Sequence, residues 1–376
     1  MKRFGIIVLS ALLPTLLIWL VFFSNLKSFW TIPLPQKGLQ TVIANYDGPL
    51  YIAVTRTFYQ KSAIKALYSF QLPNEYFAAH FPLYPAIIRI LSVVFAYPHA
   101  MLVASLLSSV LALYFFHRLF SKLVNPKTAL LATMAFAIFP ARWLTVRSVG
   151  SPEPLFIAAI LASLFFFTEK KYFWAGVWGA LAQLTKSPGI LLFATYGVFF
   201  LADRQRLGNL KKYLPFLLIP ASLLGLFVIY KINLADFWVY FHSGDNIHLF
   251  FPPFTIFNAS ASWVGSFWLE DVIFIYVFYA MALVRLVDFA KNKDVNLKIL
   301  PIFFGVFLAT IFFVAHRDVS RYALPLAPLA LIAFGDFFAH RHFKYVLALL
   351  AVPCFLFAIS FIANNVMPIA NWAPFL

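Results

Sequence analysis

The sequence predicts an all-α polytopic membrane protein with about eleven transmembrane helices. Hydrophobic residues make up 63% of the 376 residues and only 11% are charged, against about 25% charged residues in soluble domains. Apolar runs of helical length follow one another along most of the chain. Phenylalanine contributes 47 residues, which suits lipid-facing helices and interfacial belts. We therefore interpret residues 1–376 as a single integral membrane domain.

The formal net charge of +16 has a different meaning in a membrane protein than in a soluble one. A soluble chain with this charge would suggest a nucleic-acid partner, which we do not expect here. In a membrane protein, basic cytoplasmic loops that face anionic lipid account for such a charge. Basic residues that bind an anionic substrate would also contribute to it. The single cysteine, Cys354, excludes an internal disulfide and a cysteine-based metal site.

The apolar runs predict the order of the spans. The first follows Met1-Lys2-Arg3 and lacks a small-residue cleavage site after it, so we interpret it as a retained helix with a cytoplasmic N-terminus. The positive-inside rule then places the basic loops 169–171, 203–212, 291–298 and 340–344 in the cytoplasm and the C-terminus outside. The predicted spans are 4–23, 101–117, 128–145, 154–168, 172–186, 188–202, 213–230, 271–289, 299–315, 323–339 and 345–363.

Two long segments lie outside the membrane in this topology, residues 24–99 and residues 231–270. Residues 50–67 have the amphipathic pattern of a helix in the interface. Residues 82–96 are fewer than the roughly 20 residues that a span needs. Because residue 80 is predicted to be outside and the basic loop after residue 117 cytoplasmic, an odd number of spans must lie between them. The segment 82–96 is therefore predicted to be a juxtamembrane or re-entrant helix.

Six cations fall on the outer side beyond the first loop, against the positive-inside rule. They are Arg142, Arg147, Lys186, Lys231, Arg317 and Arg321. A common anion site would explain them, since arginine contacts phosphate through two parallel hydrogen bonds. The alternative for Lys186 is that its side chain snorkels to outer headgroups.

Asp47 is the most distinctive carboxylate in the outer loops. Asp47-Gly48-Pro49 is typical of a helix N-cap followed by proline in the first turn. A cap aspartate on such a helix can also point into a cavity, so capping and catalysis are compatible. Tyr51 follows one helical turn later on the same face.

The other candidate residues have structural and functional interpretations side by side. His80 and Tyr84 flank Pro82 at a predicted helix start, where they would anchor the helix or bind a phosphate or sugar. Glu153 suits a helix N-terminus, where the macrodipole favours an anion. Asp318 would neutralise one of its neighbouring arginines.

Metal and nucleotide sites are less well supported. His242, Asp245 and His248 form an H-x2-D-x2-H pattern, but it lacks the helical spacing of known zinc motifs. The sequence contains no Walker motif, no G-x-G-x-x-G and no nucleophile elbow.

Five motifs occur in a fixed order: Asp47-Gly48, Phe81-Pro82-Leu83-Tyr84-Pro85, Arg147 with Ser151-Pro152-Glu153-Pro154-Leu155-Phe156, Leu184-Thr185-Lys186-Ser187-Pro188-Gly189, and Arg321-Tyr322-Ala323-Leu324-Pro325. This ordered set, between residues 45 and about 330, resembles the GT-C membrane glycosyltransferases. The resemblance is strongest to the PIG-V-like mannosyltransferases that act on glycosylphosphatidylinositol precursors.

The resemblance implies a GT-C-type bundle with juxtamembrane helices in the first extracytoplasmic loop. It implies a polyprenyl-phosphate sugar donor, such as dolichyl phosphate mannose, and transfer on the extracytoplasmic side to a lipid or glycan acceptor. The family's catalytic base is an acidic residue of the first outer loop, which would be Asp47, and its second acidic position would be Glu153.

This chemistry agrees with the residues themselves. One carboxylate can deprotonate an acceptor hydroxyl, and preorganised cations can stabilise the departing phosphate, so an inverting reaction needs no covalent intermediate. The predicted substrate-binding residues are Tyr51, His80, Tyr84, Arg142, Arg147, Glu153, Lys186, His316, Arg317, Arg321 and Tyr322. A divalent cation held by Asp47 and Glu153 is possible, although the sequence has no D-x-D pair. The alternative function is a transporter or flippase of an anionic lipid-linked substrate, which would favour inverted repeats that the sequence does not show.

Overall fold

The computed structural model describes residues 2–70, 72–202, 210–244, 247–291 and 294–376. Within these residues the chain is almost entirely helical, and its one sheet is the two-stranded antiparallel ribbon of β1 (Ser28–Phe29) and β2 (Ile32–Pro33). The α-helices are α1 Lys2–Phe23, α2 Gln40–Ile43, α3 Gly48–Thr57, α4 Lys61–Leu67, α5 Leu83–Leu91, α6 Tyr97–Phe120, α7 Pro126–Phe136, α8 Ala141–Arg147, α9 Glu153–Thr168, α10 Tyr172–Thr185, α11 Ile190–Leu201, α12 Leu218–Leu234, α13 Ser266–Ala290, α14 Ile299–Ile311, α15 Val319–Tyr322, α16 Ala327–Ala333, α17 Gly335–Ala339 and α18 Phe343–Asn364.

Short 3₁₀ helices connect several of these elements. They are Asn74–Ala79, Ser187–Gly189, Leu210–Leu217, Val239–His242, Thr255–Phe257, Val295–Lys298, Leu324–Leu326 and Ala373–Phe375.

Five helical segments of the described chain are long and apolar enough to cross a membrane. They are Arg3–Phe23, Tyr97–Phe120, Lys211–Leu234, Trp268–Ala290 and Phe343–Asn364, and the bent pair α7 and α8 makes a sixth if it counts as one span. Each of the eleven predicted spans coincides with a helix or a pair of helices, but several of these helices are shorter than a bilayer requires. The multi-pass, all-helical architecture is confirmed, and the count of eleven stays a prediction.

The predicted span 128–145 is bent in the middle. It divides into α7 and α8, which meet at an angle of 70°. Pro140 lies at the break, and proline both lacks an amide hydrogen and disfavours helical geometry in the residue before it. The bend turns α8 against α18 and α9, and α8 carries Arg142 and Arg147.

The predicted helix over 50–67 is divided in two, and its interfacial location stays a prediction. The segment forms α3 and α4, and α3 is buried against α5 and α6. Its polar residues form hydrogen bonds inside the protein, which explains why an amphipathic pattern is compatible with burial. Arg89 Nη1 donates to the Thr55 carbonyl at 3.0 Å, and Arg56 donates to the carbonyl of Pro374. The predicted short helix in 82–96 is present as the nine-residue α5.

The helices converge at one end of the bundle, where the predicted site residues lie. Asp47 precedes α3, Glu153 begins α9, Lys186 follows α10 and Arg321 lies in α15. Helix α9 is buried around its whole circumference between α6 and α10, as expected for a helix with no polar face. It therefore holds its N-terminal carboxylate in a fixed position.

Candidate active site

Glu153 is the most completely bound carboxylate at this end of the bundle, with a side chain that is 4% exposed. Its Oε1 atom accepts from Lys186 Nζ at 2.6 Å and from Arg321 Nε at 2.7 Å. Its Oε2 atom accepts from the hydroxyl of Ser151. Because these donors come from three different segments, the carboxylate holds the segments together. The charge-assisted hydrogen bonds offset the free-energy cost of burying the carboxylate.

Asp47 differs from Glu153 in almost every respect. It occupies the N-cap position of α3, but its side chain makes no capping hydrogen bond. The side chain is 36% exposed, and its ion partner is Arg321, with Oδ2 at 3.7 Å from Nη2. The carboxylate therefore keeps accessible lone pairs beside a cation.

Two glycines allow the loops that carry these carboxylates to approach each other. A Cβ on Gly48 would lie 2.8 Å from the Ile43 carbonyl oxygen, 3.2 Å from Met101 Cε and 3.4 Å from the Gly150 carbonyl oxygen. A Cβ on Gly150 would overlap the side chain of Met101. Only residues without a side chain fit these positions, which is the physical reason for the glycine of the Asp47-Gly48 motif.

Arg321 connects the two carboxylates. Its guanidinium contacts both and lies 4.2 Å from the centre of the Tyr46 ring. Burial lowers the pKa of Arg321, but the carboxylates of Glu153 and Asp47 outweigh it and hold the pKa above its ordinary value. The side chain is a permanent cation between two anions.

Arg142 forms a second ion pair next to the first. Its Nη2 atom lies 2.9 Å from Asp318 Oδ1, Nη1 donates to the Tyr46 hydroxyl at 3.0 Å, and Nε donates to Ser320 Oγ at 3.3 Å. Tyr46 thus contacts both Arg142 and Arg321, although it was not among the predicted site residues. Its position beside Asp47 was the only sequence signal for this role.

The long loop 231–270 reaches the same cluster through His248. The Ala315 amide donates to the His248 carbonyl at 3.0 Å, and Leu249 pairs with Val314 in a β-bridge. The rings of His248 and His316 lie 4.2 Å apart, and Tyr322 packs edge-on against both. Burial, His248 and Arg321 lower the pKa of His316 to about 4, so this imidazole is neutral at pH 7.

Three buried rings lie on the other side of Asp47. Tyr51 packs edge-on against His80 at 4.8 Å and against Tyr84 at 5.2 Å. Tyr84 donates to the Met101 carbonyl at 3.0 Å and shares a hydrogen bond with Ser105, which anchors it to α6. Burial lowers the pKa of His80, and its Nδ1 has no hydrogen-bond partner within the described residues.

Not all predicted binding residues join this cluster. Arg147 is fully buried and donates to the carbonyls of Ala11 and Ala137, so it ties α8 to α1 and to the end of α7. Arg317 is exposed next to the cluster. Of the six unexpected cations, Arg142, Lys186 and Arg321 are brought together and Arg147 is not.

Comparisons with known proteins identify the fold that carries this cluster. Residues 79–230 match the family described as dolichyl-phosphate-mannose-protein mannosyltransferase. ArnT from Cupriavidus metallidurans, solved with bound undecaprenyl phosphate, is 12% identical with a TM-score of 0.61, over 95% of this chain and 77% of ArnT. The chain has the GT-C fold. The oligosaccharyltransferase AglB from Archaeoglobus fulgidus, in complex with an inhibitory peptide and a dolichol-phosphate, is 13% identical with a TM-score of 0.56, over 99% of this chain and 57% of AglB.

The predicted GT-C fold and integral, multi-pass membrane location are therefore confirmed. The family match over residues 79–230 agrees with the predicted glycosyltransferase activity, and the solved structures show the fold. No curated protein shows a significant sequence match. The closer resemblance to PIG-V-like mannosyltransferases stays a prediction.

An apolar cavity of about 280 Å³ adjoins the charged cluster of this GT-C fold. Arg142 and Ser320 contribute polar atoms to it, and α13 and α16 contribute most of the rest. The apolar residues that line it are Phe139, Pro140, Phe274, Ile275, Phe278, Tyr279, Ala327 and Leu331. A ligand with a hydrocarbon chain and an anionic head fits this combination.

The metal-site hypotheses find no support in the geometry. Among the described residues no three His, Cys, Asp or Glu side chains are grouped to hold an ion. The guanidinium of Arg321 contacts both Asp47 and Glu153. In the H-x2-D-x2-H pattern, His242 pairs with Asp236 at 2.6 Å, His248 stacks on His316, and Asp245 lies outside the described residues.

Proposed function

We propose that this protein transfers a hexose, with mannose favoured, from a polyprenyl-phosphate donor to a lipid or glycan acceptor on the extracytoplasmic side. The observation that carries the proposal is the accessible Asp47 carboxylate beside Arg321, which Glu153 holds in place. This arrangement puts a base next to a cation at one end of a GT-C bundle.

The reaction is a single displacement with inversion. Asp47 accepts the proton of an acceptor hydroxyl as its oxygen attacks the anomeric carbon of the sugar. The bond between that carbon and the phosphate oxygen breaks, and its electron pair leaves with polyprenyl phosphate. Proton uptake and phosphate departure balance the step, so no covalent sugar–enzyme intermediate is needed.

The environments of the two carboxylates support Asp47 rather than Glu153 as the base. Three donors contact the oxygens of Glu153, and the side chain is buried. Protonating Glu153 would break favourable ion pairs, whereas Asp47 has one distant ion contact and partial exposure. A base must reach the proton that it removes, and only Asp47 is open to an incoming hydroxyl.

The leaving phosphate needs a positive charge that is not already neutralised. Arg142, Lys186 and Arg321 each have a carboxylate partner. Arg317 is exposed, and within the described residues no ion pair involves it. Arg317 therefore supplies the additional charge for the phosphate, with Arg321 as the preorganised donor beside the base.

The polyprenyl chain fits the apolar cavity between α13 and α16. Its polar end contains Arg142, so a chain in the cavity would present its phosphate to the cluster. ArnT and AglB were solved with undecaprenyl phosphate and dolichol-phosphate, which supports this class of donor. The matching family is described by dolichyl-phosphate-mannose, which favours mannose over other hexoses.

The donor is tested with the purified full chain in nanodiscs, radiolabelled polyprenyl-phosphate mannose or glucose, and a mixture of lipid and glycan acceptors with free hydroxyls. We expect release of polyprenyl phosphate from one of these donors. Arg317→Ala should weaken donor affinity by about tenfold, the scale of one charge-assisted hydrogen bond. Arg341→Ala, in the exposed turn before α18, is the matched control. The proposal fails if neither donor reacts, or if both arginine variants bind donor like the wild type.

The side of the membrane is tested separately. His99 lies exposed at the start of α6, at the same end of the bundle as Asp47. His99→Cys in a Cys354→Ser background should react with a membrane-impermeant maleimide in intact cells. Reaction only after permeabilisation would place the site in the cytoplasm.

A further inference from the structure

A second cavity, of about 530 Å³, lies at the same end of the bundle as the active site. Its walls come from the chain after α1, the segment 36–43, the start of α6 and the C-terminal segment after α18. The polar and aromatic residues that line it are Asn25, Gln36, Lys37, Gln40, His99 and Trp372. The proposed donor site uses none of them, and all but His99 lie outside the residues that match the family.

The chemistry of this lining differs from that of the 280 Å³ cavity. It combines one tryptophan with amide groups, a lysine and a histidine, and none of its lining residues is Asp or Glu. Gln36 donates its amide hydrogens to the carbonyls of Leu26 at 2.9 Å and Leu34 at 3.2 Å, which leaves its oxygen as an acceptor. Amides that both donate and accept, beside an aromatic face, are suited to a hydroxyl-rich ring.

Three of the polar groups are free to bind a ligand. The side chains of Lys37, Gln40 and His99 are exposed, and within the described ranges none of them has an ion pair or a side-chain hydrogen bond. A ligand would therefore gain their hydrogen bonds without breaking existing ones. In this respect the cavity contrasts with the active-site cluster, where most cations are already paired.

The cavity is connected to Asp47 through a short, rigid piece of backbone. Ile43 lines the cavity, and Asp47 follows four residues later, so the two Cα atoms are at most about 14 Å apart. The Met367 amide donates to the Ala44 carbonyl at 2.7 Å, and Asn45 Nδ2 donates to the Ile362 carbonyl at 2.8 Å. These bonds hold the C-terminal wall of the cavity against the loop that carries Asp47.

We propose that this cavity is the acceptor subsite and that it takes a glycan, with a sugar ring against Trp372 and its hydroxyls on the free amides. This inference rests on the proposed function and narrows its acceptor from a lipid or glycan to a glycan. The bound sugar chain would extend toward Asp47, which then removes the proton of its reacting hydroxyl. A sugar-free lipid acceptor would leave the polar groups of the cavity without partners.

The test is photolabelling of the full chain in nanodiscs with diazirine-bearing octyl mannoside, glucoside and galactoside. We expect at least one probe to label residues 36–43 or 367–376, and excess methyl glycoside of the same sugar to prevent it. Trp372→Ala should reduce this labelling by about tenfold, as for a residue central to an interface. Gln40→Ala, an exposed position that leaves the fold unaffected, should reduce it as well. Trp174→Ala, an exposed tryptophan at the start of α10, is the control and should label normally.

The outcomes separate this inference from the proposed function. Photolabelling needs no turnover, so Asp47→Asn should label like the wild type. Labelling of the cavity without transfer from any lipid-linked hexose would overturn the proposed function alone. Three results would overturn the acceptor subsite. They are transfer to a sugar-free lipid, labelling only outside the cavity, and normal labelling in both the Trp372 and the Gln40 variants.

Discussion

The loops that carry Asp47 and Glu153 contact the same arginine and differ in how they hold a carboxylate. In the loop before α9, the side chains from Arg147 to Glu153 are buried, and Glu153 has three donors. In the loop before α3, Asp47 is partly exposed and has one ion contact at 3.7 Å. Burial with full hydrogen bonding fixes a charge in place, whereas partial exposure leaves a carboxylate free to exchange a proton. In the proposed reaction, the loop before α3 therefore supplies the base, and the loop before α9 supports it.

The largest expected effect is that of Asp47→Asn. Removing the basic carboxylate should lower transfer by about 10²–10⁴-fold, the usual contribution of a general base, while donor binding persists. The measurement is single-turnover transfer with the enzyme in excess over the labelled donor. Asp236→Asn, at an exposed carboxylate of the long loop, is the control and should be silent. Normal turnover of Asp47→Asn under these conditions would remove Asp47 from the mechanism.

Glu153→Gln should act mainly on stability. It removes the charge that pairs with Lys186 and Arg321, and we expect a loss of about 3 kcal/mol in the free energy of unfolding. The folded fraction should retain more transfer than Asp47→Asn does. Denaturation in detergent together with transfer per folded molecule measures both. Glu75→Gln, which removes a surface ion pair with Lys61, should cost less than about 1 kcal/mol. If Glu153→Gln kept full stability and lost all transfer, Glu153 rather than Asp47 would be the base.

Arg147→Met tests whether the second loop is structural support. The variant leaves the carbonyls of Ala11 and Ala137 without their donor, which should cost about 2 kcal/mol in the free energy of unfolding. Transfer per folded molecule and donor affinity should stay unchanged, because the side chain lies in the core and not in the cluster. If the variant bound the donor more weakly but kept its stability, Arg147 would be a phosphate-binding residue after all.

The smallest expected effect is that of Asp47→Ala on stability. A true N-cap is worth about 1 kcal/mol, but Asp47 makes no capping bond. We therefore expect the free energy of unfolding to change by less than about 0.5 kcal/mol, as at other sites without a specific contact. Thermal unfolding in nanodiscs measures this, with Asn125→Ala as the positive control because Asn125 does cap α7. A cost equal to that of Asn125→Ala would show that Asp47 acts as a cap.

The sequence was sufficient for the membrane class, the helical architecture and several of the residues that meet at one end of the bundle. These properties depend on composition and on local patterns, such as apolar runs and the glycine and proline motifs beside Asp47, Glu153 and Lys186. The ordered set of those motifs resembles the GT-C membrane glycosyltransferases, and this resemblance predicted the fold.

Only the tertiary structure decided what each charged side chain contacts. Arg147 and Arg321 look alike in the sequence, yet one binds backbone carbonyls in the core and the other joins two carboxylates. The amphipathic pattern after residue 50 places polar residues correctly, but it does not predict that Arg56 donates to the carbonyl of Pro374, near the other end of the chain. His248 reaches His316 across nearly seventy residues of chain. Because these partners come from distant segments, local sequence patterns carry no information about them. Which partner a charged side chain binds depends on which groups remain unpaired when the helices pack.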